Sequence, residues 1–169
     1  PFHGKQKIIF STDEEKKVTL INADNQAGKT AILRGILWCM FGNTNDQDSY
    51  LEHISRLNLQ AKAEKDYNYE VVLLFTYDGQ NYVITRKAKL KDNLELKESN
   101  WEVELTCNVN SVDSSGLEAQ QIIQEVFDIS TSRFYLFDGE MLTEYKKLIR
   151  TNNMSNLAKK IIGSIEDIL

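Results

Sequence analysis

Residues 23–30, ADNQAGKT, constrain this chain more than any other stretch. They match a relaxed phosphate-loop pattern, in which a small residue and four variable positions precede Gly-Lys-Thr. An apolar run, Val18-Thr19-Leu20-Ile21, stands just before them, and a helical apolar pattern from Ala31 to Phe41 follows. Strand, glycine loop, lysine and helix in that order place backbone N–H groups around an anion at a helix N-terminus. In such a loop Lys29 reaches the outer phosphates and the Thr30 hydroxyl ligates magnesium. Ala23 occupies the place where the first glycine usually sits, and Gln26 fills another position that is often glycine. If position 23 needs a left-handed φ, alanine there costs about 1–2 kcal/mol. A micromolar nucleotide site is worth about 8 kcal/mol. The expectation is weakened binding at worst.

The remaining bounds come from length, charge and cysteine usage. A chain of 169 residues is one domain, or one lobe of a larger one. It opens at Pro1 without a methionine, which leaves room for residues before it. A net charge of −5 gives no global steering toward nucleic acid, so any DNA contact must come from a local patch. Cys39 and Cys107 lack a CxxC spacing and read as buried reduced thiols. There is no long apolar run of membrane-spanning length and no secretory signal pattern. A cytoplasmic protein with no membrane partner is the expectation.

Along the chain, Lys5–Phe10 and Lys17–Asn22 read as strands, the second apolar on both faces as in a covered sheet. In the helix after the loop, Ile32, Leu33, Ile36, Leu37, Met40 and Phe41 form a broad stripe. Trp38 and Cys39 carry the apolar surface almost all round, so this helix is expected to be central and buried. Gly35 is expected to allow close approach of a neighbour, and Gly42 to stop the helix. Residues 50–64 suggest a further helix. Alternation then marks strands at 67–77, 80–90 and 101–110, the first two joined at Asp78-Gly79. Ser115 and Glu118 suggest a capping box for a helix reaching Phe127. Arg86, Lys87, Lys89 and Lys91 make a basic run, and the three lysines share one strand face. A solvated strand explains that run as well as DNA binding does.

A second motif, Arg133–Met141 (RFYLFDGEM), reads as a short buried strand that ends at Asp138-Gly139-Glu140. A carboxylate at a strand end is where α/β folds place ligand-contacting groups. The phosphate loop, antiparallel strands, helix and FDGE together resemble the N-terminal lobe of coiled-coil ABC-class ATPase heads, the group of SMC, RecF and RecN proteins. The segments FHGKQKIIF, VTLINADNQAGKT, ILRGILWCMFG and FYLFDGE are most similar to the DndD-type and Lamassu-type SMC-like ATPases of bacterial anti-phage defence.

That resemblance implies an α/β fold: a P-loop head lobe over residues 1–150, with a mixed sheet, a central helix after the loop and an antiparallel β subdomain. Residues 151–169 would form a helix leading into a coiled coil. It implies ATP and Mg2+ as cofactors. Ala23, Asn25, Gln26, Ala27, Gly28, Lys29, Thr30 and Ala31 would line the nucleotide, Lys29 and Asp138 would serve catalysis, and Thr30 and Asp138 would hold the metal. It further implies a C-terminal lobe, a second head, DNA, and a nuclease or effector subunit as partners. No Walker B strand, signature motif or switch histidine is present, and His3 and His53 lie in no such context. The resemblance therefore implies half a head, which hydrolyses ATP only with its other lobe. A degenerate loop serving as a non-hydrolysing scaffold is the alternative. A small nucleotide kinase or GTPase would need a Walker B or NKxD motif, and neither occurs.

Overall fold

The computed structural model describes residues 2–13, 15–16, 18–24, 27–42, 53–92, 94–129 and 136. Its centre is a sheet of four strands: β1 (Asn68–Tyr77), β2 (Gln80–Leu90), β3 (Trp101–Val109) and β4 (Val112–Ser115). All neighbours are antiparallel and lie in chain order. This is the antiparallel β subdomain expected from the alternation over 67–110; among the described residues no parallel pairing adds the expected mixed sheet. Asp78 and Gly79 both take left-handed φ (48° and 71°), which gives the tight turn between β1 and β2 the twist that two antiparallel strands need.

The turn into β4 uses Asn110 and Ser111, also left-handed at 48° and 73°. It carries no glycine, and sequence patterning did not reveal β4. Side-chain amides hold it instead. Asn108 Oδ1 accepts from the Ser111 N–H at 3.0 Å, and Asn110 Oδ1 accepts from the Asn81 N–H at 3.0 Å.

Alternation along the strands gives the sheet two unlike faces. Register aligns Phe75, Tyr82 and Val109, then Leu73, Ile84 and Cys107, then Val71, Arg86 and Leu105 on the inner face. The opposite face aligns Glu70, Lys87 and Glu104. Two helices cover the inner face: α1 (Lys29–Phe41) against β1 and β2, and α4 (Gly116–Val126) against β3 and β4. One core cluster joins Cys39 and Met40 to Ile84, Leu105, Cys107, Ala119 and Ile123. A second joins Trp38 to Leu57, Ala88, Leu90 and Trp101.

Several expectations give way to tertiary context. Residues 5–10 and 18–22 form no ladder among the described residues. Ile9, Val18 and Leu20 are 74%, 84% and 87% exposed, because no described strand or helix covers them. Side chains join the two segments: Ser11 N–H donates to Thr19 Oγ1 at 2.7 Å, and Asp13 Oδ1 accepts from Glu15 and Lys16. The first turns of α1 face these open segments, so only Trp38, Cys39 and Met40 of α1 are buried. The helix expected over 50–64 is two short ones, α2 (His53–Arg56) and α3 (Leu59–Glu64), since Asn58 starts α3 by accepting from the Gln60 N–H at 2.7 Å. Ser115 precedes α4 but makes no capping bond. It is still paired with Thr106 in the ladder, and Gly116 turns the chain with φ +58°. Residues 151–169 lie outside the described residues.

Gly35 also departs from expectation. A Cβ there would meet only Val71 Cγ2, at an ordinary 3.9 Å. Glycine inside a helix costs about 0.5–1 kcal/mol relative to alanine. Gly35→Ala should therefore raise stability by about that amount in chemical denaturation. A loss of stability would show that the helix needs the closer approach.

Candidate functional site

The candidate site is the N-terminal end of α1. Gly28 precedes the helix with φ +105°, a conformation open to glycine and strained for other residues. Its carbonyl accepts the first helical bond, from the Ile32 N–H at 3.2 Å. Among the described residues no side chain caps this end, and the first turn holds no acidic residue. The amides of Lys29, Thr30 and Ala31 thus lack helical acceptors, and the positive end of the helix dipole is left open.

The loop leading to Gly28 closes on itself. Ala27 N–H donates to the Asp24 carbonyl at 3.3 Å. Lys29 Nζ donates to the carbonyls of Ala23 and Asp24, the latter at 2.8 Å. The ammonium therefore lies over the loop, on the carbonyl oxygens of Ala23 and Asp24. Ala23 is not left-handed; among the described residues of the loop that conformation belongs to Gly28. The strain considered for Ala23 does not arise. Thr30 is exposed beside Lys29, so its hydroxyl is free to face a cation. Lys29 also borders an open groove of about 220 Å³, lined otherwise by Phe10, Ile21, Ile32, Leu33 and Ile36.

This set suits a nucleoside triphosphate with magnesium: free amides, a lysine, a hydroxyl and no opposing carboxylate in the first turn. Ala23, Ala27, Gly28, Lys29, Thr30 and Ala31 are among the described residues, where Lys29 reaches back to the Ala23 carbonyl. Asn25, Gln26 and Asp138 lie outside the described residues. Among the described residues no group of His, Cys, Asp and Glu is arranged to hold a metal by itself.

Other candidates resolve into structure. His3 contacts Glu64 at 3.3 Å, and this contact with the Gln60 amide bond holds the Glu64 carboxyl below its usual range. His53 bonds the Tyr69 hydroxyl at 2.6 Å and stacks on Trp101. In the basic run, Lys87 pairs with Glu70 at 2.9 Å and Lys89 with Asp92 at 3.4 Å. The bond and charge of Glu70 raise the Lys87 pKa. Arg86 leaves the run altogether: it is buried on the inner face.

A family model described as an AAA domain matches residues 1–168. The chain belongs to the AAA domain family. No curated protein matches it. Membership makes this AAA domain an ATP-binding NTPase domain.

The opposite end of α1 is closed to chemistry. Cys39 is fully buried, and its thiol donates to the Val71 carbonyl at 3.3 Å. Burial pushes its pKa up to about 11, against a smaller lowering by Arg86. Burial raises the Cys107 thiol as well. An unfolded thiol ionises near pH 9 and the folded Cys39 near 11, so the folded state holds the extra proton between them. Stability should therefore fall by about 2–3 kcal/mol as pH rises through that window. In Cys39→Ala, denaturation midpoints over the same range should lose most of that slope. An unchanged slope would place the effect elsewhere.

Proposed function

We propose that this AAA domain is the ATP-binding half of an SMC-like ATPase head. In this reading it joins a C-terminal lobe, two such heads close on ATP, and hydrolysis releases them. The observation that carries it is the Lys29 ammonium held on the loop that leads into α1, beside a helix N-terminus without a side-chain cap among the described residues, inside a match to the AAA domain that spans residues 1–168. The ATP-binding NTPase class follows from the family. The head arrangement rests on the resemblance of ADNQAGKT and FDGE to such heads, and on the exposed apolar segments 5–10 and 18–22. Apolar strands of that kind gain stability when another element covers them.

In the proposed cycle, Lys29 exchanges its bonds to Ala23 and Asp24 for phosphate oxygens. The amides of the first helical turn would share the negative charge, and the Thr30 hydroxyl would help hold magnesium, which would offset charge on the phosphates. Asp138 is assigned to the same metal through the family pattern. Catalysis then consists of positioning and charge stabilisation, with the water-activating residue supplied by the other lobe.

DNA is the proposed object of the closing motion, in anti-phage defence or repair, with DndD-type and Lamassu-type proteins as the model. The β2 lysines are matched by carboxylates, so in this reading DNA lies against another surface of the assembly. The non-hydrolysing scaffold loses one of its two motives, because Ala23 carries no strain.

Lys29→Ala in the full-length protein should abolish ATP turnover. It should also weaken Mg·ATP binding by about 100-fold in calorimetry, the scale of a lost charge-assisted contact of about 3 kcal/mol. Turnover that survives the substitution would end the ATPase reading. A wild-type protein that shows no heat of ATP binding would favour the scaffold.

A further inference from the structure

The geometry points to Arg86 as a positioning residue for the nucleotide site, acting through the whole length of α1. The inference rests on the reading of the Lys29 loop as that site. Arg86 lies in β2 between Ile84 and Ala88, in phase with the inner face, and is 7% exposed. A buried arginine usually faces a carboxylate. Here its partners are the end of α1 and one amide. Nε donates to the Cys39 carbonyl at 2.9 Å, and Nη2 to the Met40 carbonyl at 3.4 Å and to Gln120 Oε1 at 2.8 Å. Gln120 Nε2 closes the ring by donating to the same Met40 carbonyl at 3.0 Å. One guanidinium thereby ties β2, α1 and α4 together.

Gly42 makes room for it. A Cβ at that position would sit 3.1 Å from Arg86 Nη1 and 3.4 Å from Cζ. The Gly42 N–H meanwhile caps the helix by donating to the Trp38 carbonyl at 2.8 Å. Burial lowers the Arg86 pKa, against a smaller rise from Cys39.

The consequence lies at the other end. Only the last turns of α1 are buried, and its N-terminal end carries no side-chain cap. A helix of 13 residues is about 20 Å long. Anchored at one end, it acts as a lever: a tilt of about 3° at Arg86 moves the Gly28 end by about 1 Å. Misplacement on that scale costs up to about 100-fold where groups must converge on a bound substrate.

The test is Mg·ATP calorimetry on the full chain, well below each variant's melting temperature. Arg86→Met keeps the bulk without the donors and should weaken binding about 10-fold, whereas Arg86→Lys keeps a donor and should stay within about 3-fold of the parent. Ile123→Ala, in the same core, should lower the melting temperature and leave affinity unchanged. Equal affinity in Arg86→Met and the parent overturns the proposal, as does an equal loss in Ile123→Ala. If Arg86→Met does not fold, Gln120→Leu decides, and unchanged affinity there overturns it. Lys29→Ala separates the two readings: parental affinity in that variant removes the site itself, and this inference with it.

Discussion

A single buried charge organises the described part of this domain. The Arg86 guanidinium and the last carbonyls of α1 are each costly to bury alone. The carbonyls have no helical donors, and the arginine has no carboxylate among its described hydrogen-bond partners. An unsatisfied buried polar group costs about 1–3 kcal/mol, and more when charged. Together they satisfy one another, and the negative end of the helix dipole faces the positive charge. The arrangement explains why the inner face carries two apolar clusters rather than one: they lie on either side of this polar node, joined through Val71. It also explains why α1 is seated at its carboxyl end and open at its amino end.

That asymmetry suits a phosphate site. The amino end presents free amides and the Lys29 ammonium, with Gly28 supplying the backbone turn that places them. A closed, hydrogen-bonded carboxyl end and an uncapped amino end give one helix two tasks. The apolar residues Ile9, Val18 and Leu20 in the segments beside the amino end remain exposed.

Local chemistry was legible in the sequence, and partner-dependent structure was not. The turn at Gly28 into α1 could be read because Gly-Lys-Thr followed by an apolar helical pattern is a local signal. Strands β1 to β3 could be read because alternation and Asp78-Gly79 are local signals. β4 escaped notice because it has four residues and its turn lacks glycine. Residues 5–10 and 18–22 misled, since an apolar run shows the tendency to form a strand while a ladder requires a neighbour. Arg86 was hidden among lysines, although the signal was there. It is in phase with Tyr82, Ile84, Ala88 and Leu90, and out of phase with Lys87 and Lys89. The basic run divides by parity into one inner anchor and an outer row in which Lys87 and Lys89 are matched by carboxylates.

The account stands on the amino end of α1 receiving nucleotide phosphates. Hydrogen exchange of the full chain, with and without saturating Mg·ATP, tests that most directly. The amides of residues 28–31 should gain strong protection on binding, while those near Cys39 and Gly42 stay slow in both states. Saturation of the protein with nucleotide without any change at residues 28–31 would contradict it.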